Sequence, residues 1–218
     1  MTHTFEADGI ILDFGTRRIL SNIYFKCETG KITGILGRNG QGKTCLMNVA
    51  YGSLNAVSKS VRFDNLSVFE AFKRPDLLTY LPQFNFIPSF LSLTRIFTDF
   101  DLNYDEFVIL FPEFKAKSDF IIKKLSGGQR RLIEVYVMIK SKAKFSMLDE
   151  PFSHLMPLQI EKIKEILHNE KKTKGFLITD HMFRQVTDIC DNLYVLTDGK
   201  VHLTNDITDI ETLGYARL

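Results

Sequence analysis

The sequence predicts an α/β fold with a mainly parallel sheet covered by helices on both faces, an N-terminal antiparallel β part and a helical insertion. Three observations support this prediction. In the second half of the chain, short apolar strands alternate with helical stretches, which is typical of a parallel sheet with crossover helices. The first 30 residues contain only strand-like segments and turn signals. Residues 84–125 have dense phenylalanine and helical periodicity instead.

The N-terminal strands surround turn signals at Asp8-Gly9 and Gly15, which predict antiparallel pairing. A glycine-rich turn follows the third strand and leads into a helix that begins near Lys43. The strands predicted in the first 83 residues are short and rich in apolar residues: GIILDF (9–14), RRILSNIYFKC (17–27), KITGIL (31–36), VRFDN (61–65) and LTYLP (78–82).

The remaining elements follow from the same periodicities. The predicted helices of the insertion are LTRIFTDF (93–100) and YDEFVILF (104–111). After it, the predicted elements are a helix over 127–142, the strand KFSML (144–148), a helix over 157–170, the strand GFLIT (175–179), the hairpin NLYVLTDGKVHL (192–203) and a short closing helix, DITDIETLGY (206–215).

Length and composition predict a single domain, with a core formed by 1–83 and 126–218 and an insertion of 84–125. The net charge of +2 gives no strong attraction to nucleic acid or anionic lipid, and basic pairs such as Arg130-Arg131 are predicted to lie on a solvated face. Three cysteines without metal-binding spacing fit a reducing compartment. We expect a soluble protein, because no signal peptide is visible and the most apolar segment has only 14 residues.

Residues 37–44, GRNGQGKT, match the pattern G-x-x-x-x-G-K-[ST] at every fixed position, between a predicted strand and a predicted helix. Such a loop turns backbone N–H groups and a positive helix N-terminus toward an anion. Lys43 can reach the β- and γ-phosphates, and the Thr44 hydroxyl can ligand Mg²⁺. The sequence therefore predicts a P-loop NTPase core. Its nucleotide-contacting residues are predicted to be Gly37, Arg38, Asn39, Gly40, Gln41, Gly42, Lys43, Thr44 and Cys45.

Two adjacent carboxylates, Asp149 and Glu150, follow the apolar strand 144–148. Neighbouring side chains on a strand point to opposite faces, so these acids are expected to serve different functions. A P-loop hydroxyl and a strand-end carboxylate together hold Mg²⁺, which predicts Asp149 as a metal ligand acting through water. Glu150 is predicted to orient the attacking water or to accept its proton.

Three further motifs point to one family. LSGGQRR (125–131) begins a predicted helix, Gln83 follows the strand of YLPQ, and His181 ends LITDH. With GRNGQGKT and SMLDEP, these motifs resemble the ATP-binding subunit of ABC transporters in order and spacing over nearly the whole chain. P-loop kinases and small GTPases lack the LSGGQ string, and a kinase function is disfavoured by it and by His181.

The resemblance implies ATP and Mg²⁺ as ligands and a head-to-tail dimer that encloses two ATP molecules. The loop 37–44 of one chain would face the partner's signature segment, which is Ser126, Gly127, Gly128 and Gln129. By the same resemblance, Gln83 would contact Mg²⁺ or the attacking water, and His181 would contact the γ-phosphate and Glu150. Phe14 lies where the family places an aromatic ring that stacks on adenine.

The resemblance also implies a separately encoded membrane-spanning subunit, and hence a cytoplasmic location at the inner face of the membrane. A helix of that subunit would dock between core and insertion, against Phe84, Phe86, Ile87, Phe90 and Leu91. The same side chains can equally fill the small core of the insertion. The alternative function is a soluble ABC-type ATPase that acts on ribosomes or DNA. Translation factors of that kind resemble two fused cassettes and the DNA-repair members carry coiled coils, whereas this chain has one cassette and no heptads.

Two positions depart from the family pattern. Cys45 stands where the family has a hydroxyl residue that bonds the α-phosphate, and because a thiol is a weak donor we expect a slightly altered nucleotide affinity. Met156 stands where the family has an aspartate that reaches across the dimer. Since methionine cannot accept hydrogen bonds as a carboxylate does, we expect slower or less tightly coupled hydrolysis.

Overall fold

The computed structural model describes residues 1–204 and 209–210, which form two sheets with helices packed against them. The strands are β1 (Thr4–Phe14), β2 (Arg17–Glu28), β3 (Ile32–Leu36), β4 (Ser58–Phe63), β5 (Leu66–Ser67), β6 (Leu78–Leu81), β7 (Phe145–Asp149), β8 (Gly175–Thr179), β9 (Asn192–Thr197) and β10 (Lys200–Thr204). The α-helices are α1 (Lys43–Tyr51), α2 (Leu93–Asp99), α3 (Tyr104–Leu110), α4 (Gly127–Lys140), α5 (Pro157–Glu170) and α6 (Phe183–Thr187).

The larger sheet has the order β10-β9-β3-β8-β7-β6, and every neighbouring pair except β10 with β9 is parallel. All residues of β3, β7 and β8 are buried, which explains why these strands are continuous apolar runs instead of alternating ones. The predicted mainly parallel sheet is confirmed. Its parallel strands bring the carboxyl ends of β3, β6, β7 and β8 to one edge.

The smaller sheet is antiparallel, with the order β2-β1-β4-β5, and confirms the predicted N-terminal β part. The turn predicted at Gly15 joins β1 to β2, where Phe14 pairs with Arg17. The turn predicted at Asp8-Gly9 was wrong, because both residues lie inside β1. There the register passes from Ala7 opposite Phe25 to Ile10 opposite Ile23, which is a bulge of one extra residue, with Gly9 at φ +61°.

Two apolar cores flank the larger sheet. One lies between the two sheets and includes α1, and the other includes side chains of α4, α5 and the segment 84–125. Aromatic rings fill much of the second core, with the Phe107 ring centroid 4.8 Å from that of Tyr136 on α4 and 4.9 Å from that of Phe114. The phenylalanine density of the predicted insertion is therefore largely a packing feature, and its two predicted helices are confirmed as α2 and α3.

The residues predicted to form a docking groove divide into two groups. Phe84 and Phe90 are each 72% exposed, and Phe86 and Leu91 are half-buried. Ile87 is only 3% exposed, so its assignment to the groove was wrong. Its side chain belongs to the apolar core beneath the segment, since an isoleucine in a well-packed core is stabilised by removal from water.

The strands β9 and β10 form a hairpin that turns at Asp198-Gly199, as predicted. Of the predicted closing helix 206–215, only residues 209–210 are described, and they are helical; the rest lies outside the described residues. The helices of the described ranges are all too short or too polar to cross a membrane.

Candidate functional site

A cleft of about 420 Å³ opens at the edge where the parallel strands end. Its volume is that of a small-molecule site. The phosphate loop forms one side, the hairpin β1–β2 forms another, and two residues from the ends of β6 and β7 complete it. The lining residues are Phe14, Arg17, Ile19, Asn39, Gly40, Gly42, Lys43, Thr44, Cys45, Gln83 and Glu150.

The loop 37–44 follows β3 and leads directly into α1, as predicted. Gly40 and Gly42 have φ of +81° and +100°, which side chains other than glycine rarely adopt. A Cβ at Gly37 would lie 2.8 Å from the carbonyl oxygen of Leu196, so the chain approaches too closely there for a side chain. Because α1 begins at Lys43, its free N–H groups and the positive end of its dipole lie at the loop.

The Lys43 side chain lies within this loop and is almost completely buried. Its ammonium donates hydrogen bonds to the carbonyl oxygens of Gly37 at 2.6 Å and Arg38 at 3.3 Å. Burial lowers the pKa of Lys43, and the nearby carboxylate of Glu150 opposes that shift. A phosphate in the cleft would add to the negative charge that Glu150 already places near this buried ammonium.

Asp149 ends β7 with its side chain fully buried. Its Oδ1 accepts hydrogen bonds from Thr179 Oγ1 at 2.6 Å and from Gln83 Nε2 at 3.4 Å, and its Oδ2 accepts one from the Tyr80 hydroxyl at 3.3 Å. Burial and the Asp149 charge raise the pKa of Tyr80, which therefore stays a donor. Neighbouring strands thus fix the direction of this carboxylate.

Glu150 follows the strand with φ of +52°, a left-handed conformation, and its side chain lines the cleft, whereas that of Asp149 is buried. Its Oε1 accepts a hydrogen bond from Gln83 Nε2 at 3.0 Å. Its Oε2 accepts one from Ser153 Oγ at 3.3 Å and lies 3.6 Å from His181 Nδ1. The structure therefore brings four of the predicted site residues together, with the Gln83 amide bridging the two acids.

The remaining predicted ligands are placed as follows. Phe14 lines the cleft and is 51% exposed, as a ring that offers its face to a ligand must be. Thr44 and Cys45 line it from the start of α1. The hydroxyl of Thr44, the amide of Gln83 and the carboxylate of Asp149 are oxygen donors of the kind that suits Mg²⁺, so the donor set fits that ion.

Sequence reasoning missed Arg17, which lines the cleft beside Phe14. The two residues pair directly across β1 and β2, so their side chains lie on the same face of the hairpin. The neighbouring Arg18 lies on the other face, where its Nε donates to Asp13 at 2.8 Å. The alternation of strand faces after the Gly15 turn is the signal that could have identified Arg17.

Arg131 was also missed, and the expectation that the Arg130-Arg131 pair is a solvated face was wrong for it. Its side chain is almost completely buried, because it lies on the inner face of α4. The guanidinium donates to the carbonyl oxygens of Pro82 at 2.7 Å, Asp149 at 2.6 Å and Glu150 at 3.0 Å. It therefore joins the ends of β6 and β7, from which the acids and Gln83 extend.

Ser126 is the N-cap of α4, as predicted. Gln129 N donates to Ser126 Oγ at 3.3 Å, and Ser126 N donates to Gln129 Oε1 at 3.3 Å, which together form a capping box. The signature residues Ser126 to Gln129 are not among those that line the cleft in the described part of the chain.

The two signature glycines have different surroundings. A Cβ at Gly127 would meet nothing within 4 Å, whereas one at Gly128 would lie 2.5 Å from the carbonyl oxygen of His154. Gly128 is therefore needed for close packing of α4 against the segment that follows Glu150. Gly127 is open to solvent at the start of the helix.

Comparison with known proteins gives consistent matches. Residues 20–153 match the sequence model of the family described as "ABC transporter". The lipopolysaccharide export system ATP-binding protein LptB of Haemophilus influenzae is 27% identical over 91% of this chain and 88% of its own length. A probable ABC transporter ATP-binding protein of Azorhizobium caulinodans is 30% identical over 92% of this chain and 76% of its own.

A solved structure of an ATP-binding subunit of an ABC transporter superposes with a TM-score of 0.79, covering 97% of this chain and 93% of that one. Its sequence identity of 19% makes this a likeness of fold alone.

The two glycines provide a matched pair of variants. We expect Gly128→Ala to lower the free energy of unfolding by about 1–3 kcal/mol, because the new methyl group overlaps the His154 carbonyl. Gly127→Ala should leave it unchanged or raise it by up to about 1 kcal/mol, since alanine favours the helix. Urea denaturation followed by circular dichroism measures both values. Equal effects of the two substitutions would contradict the placement of Gly128 against His154.

Proposed function

Because this chain belongs to the ABC transporter family as an ATP-binding subunit, we propose that it hydrolyses ATP between two copies that close head to tail. Closure and reopening would drive a separately encoded membrane-spanning subunit. The observation that carries the proposal is the convergence of the phosphate loop with Gln83 and Glu150 at one cleft, with the buried Asp149 hydrogen-bonded to Gln83.

The chemistry of hydrolysis follows from the positions of these side chains. Lys43 and the loop N–H groups would bind the β- and γ-phosphates of ATP, with the adenine against Phe14. Thr44, Gln83 and Asp149 would hold Mg²⁺, which neutralises charge on the phosphates when bound. Glu150 projects into the cleft, where it would orient a water or accept its proton.

Gln83 and His181 are suited to positioning the reacting groups. The Gln83 amide contacts Glu150 at 3.0 Å and Asp149 at 3.4 Å, so it connects the metal side of the cleft to the water side. His181 is half-exposed and its Nδ1 lies 3.6 Å from Glu150 Oε2, so it could help to position that carboxylate. Holding a water in line with the phosphorus is the main requirement for phosphoryl transfer.

A second copy would complete the site through its signature segment. The capped N-terminus of α4 offers N–H groups and a positive dipole end, and Gly127 leaves its approach open. These residues do not line the cleft of their own chain, which fits binding to the γ-phosphate held by a partner. Loss of the γ-phosphate would then weaken the bridge between the copies.

The exposed phenylalanines beside Gln83 support a docking site for the membrane subunit. Phe84 follows Gln83 directly, and Phe90 lies in the same segment. Two largely exposed aromatic rings within seven residues of one segment offer apolar surface of the kind to which an amphipathic helix docks. Docking there would place the chain at the cytoplasmic face of the membrane. A movement of the docked helix of the membrane subunit would then shift Phe84 and its neighbour Gln83.

Replacing the proposed water-activating acid tests the ATPase proposal. We expect Glu150→Gln to lower ATP turnover by about 100-fold or more, because glutamine cannot accept the proton. Since this substitution leaves the phosphate loop unchanged, the variant should accumulate as an ATP-bound dimer in size-exclusion chromatography. The double variant with Lys43→Ala is the control, and it should elute as a monomer. A Glu150→Gln chain that stays monomeric with ATP at high concentration would contradict head-to-tail closure.

Met156 is 60% exposed and occupies the N-cap position of α5. Gln159 Oε1 accepts a hydrogen bond from Met156 N at 3.1 Å, but a thioether is a poor acceptor for the helix N–H groups. An aspartate here would therefore have two separate effects, namely capping α5 within its own chain and, by the family resemblance, contacting the partner's site.

Two substitutions at Met156 separate these effects. Met156→Asp and Met156→Ser should each raise the free energy of unfolding by about 1 kcal/mol, because both side chains cap helices. Only Met156→Asp should raise ATP turnover, since serine has no carboxylate. Thermal unfolding and a steady-state ATPase assay measure the two effects. If Met156→Asp leaves turnover unchanged, or if Met156→Ser raises it equally, methionine does not limit hydrolysis in the proposed way.

A further inference from the structure

Glu134 is a fully buried acid on α4 that the proposed reaction does not use. Its Oε1 accepts hydrogen bonds from Arg130 Nε at 3.2 Å and from the backbone N–H of Ile87 at 3.4 Å. Its Oε2 has no hydrogen-bond partner in the described part of the chain and lies 4.0 Å from Arg131 Nη1. The carboxylate thus touches both signature-helix arginines and the segment that follows Gln83.

Burial of this carboxylate is costly for stability. Removing a charge from water is unfavourable even when it is paired, and an apolar side chain of similar size often serves a core equally well or better. Burial raises the pKa of Glu134, while the hydrogen bonds from Arg130 and from Ile87 N–H oppose that shift. Since only one oxygen of this buried carboxylate accepts hydrogen bonds in the described residues, we look for a function of Glu134 other than packing.

The contacts of α4 show what that role is. Its side chains hold both ends of the segment 82–87: Arg131 donates to the Pro82 carbonyl at 2.7 Å, and Glu134 accepts from Ile87 N–H. Arg130 adds a hydrogen bond to the Ile87 carbonyl. Between these two anchors, Gln83 and Phe84 are exposed. The segment is therefore a short loop that α4 fixes at each end, while its middle is exposed and held to the core by the Gln83 amide.

We propose that Glu134, together with Arg130, is a positioning residue that fixes the far end of this segment and so holds the Gln83 amide on Glu150. The proposal rests on the ATPase function proposed above. Without the Glu134 carboxylate, the Ile87 N–H would lose its acceptor and Arg130 its ion-pair partner. The far end of the segment would then be held less firmly, and the Gln83 side chain would be less well fixed between the two acids. Small displacements of positioning groups cost large factors in rate while leaving the binding of remote substrate groups intact.

The test combines kinetics with hydrogen exchange on the full chain. Glu134→Ala should lower kcat for ATP by about tenfold while the KM stays within about twofold, because the phosphate loop is untouched. Within 83–87, the Ile87 backbone amide should exchange about tenfold faster, since it loses its hydrogen-bond acceptor. Glu134→Gln retains an oxygen acceptor for Ile87 N–H, so both effects should be smaller in that variant, which also guards against a failure of the alanine variant to fold.

Lys140→Met is the matched control on the same helix. Lys140 Nζ lies 2.7 Å from Glu170 Oε1 at the other end of α4, so its replacement removes a salt bridge without touching the segment 82–87. The control should leave kcat and the exchange of 83–87 unchanged.

Two results would overturn the proposal. One is wild-type kcat and wild-type exchange of 83–87 in Glu134→Ala. The other is faster exchange spread evenly over the chain, which would make Glu134 a stabilising residue only. A wild-type chain that hydrolyses no ATP would refute the proposed function instead, and in that case the exchange of 83–87 alone decides whether Glu134 holds the segment.

Discussion

The candidate site depends on the Arg131 guanidinium, which binds the backbone carbonyls of Pro82, Asp149 and Glu150. Carbonyls at the ends of β6 and β7 have left the sheet ladder and need donors when buried. Arginine has a rigid planar fork of donors that can satisfy several acceptors at once. One side chain therefore sets the distance between two strand ends and ties both to α4, whose N-terminus carries the signature residues.

The positions of Gln83 and of the two acids follow from this arrangement. Asp149 stays in the strand and is fixed by Thr179 and the Tyr80 hydroxyl. Glu150 leaves the strand through its left-handed backbone and turns to the cleft. Gln83 extends from the other anchored strand end and contacts both acids. The backbone geometry thus places the two adjacent acids differently. The Gln83 amide between them belongs to the segment 82–87, so a displacement of that segment would affect the amide first.

The sequence predicted most of this edge because its signals are local. The phosphate loop needs glycines at fixed spacing, and a strand that ends in two acids can be recognised in the sequence without knowing which strands pair with it. The errors came from contacts distant in sequence. An Asp-Gly pair suits a bulge as well as a turn, and only the pairing of β1 with β2 shows that Asp8-Gly9 forms a bulge. Ile87 is buried because its segment packs in the core beside α4, and Arg131 is buried because α4 packs against the ends of β6 and β7. The periodicity of the sequence does not reveal these contacts.

We propose that the cleft is half of an ATP site and that a second copy of the chain supplies the other half. The measurement that tests this most directly is the ATP hydrolysis rate per chain in the presence of Mg²⁺, determined over a wide range of wild-type protein concentration. We expect a rate per chain that rises with concentration and reaches a plateau as the copies associate. A rate per chain that is constant and non-zero down to the lowest concentration would contradict it, because a single copy would then be sufficient.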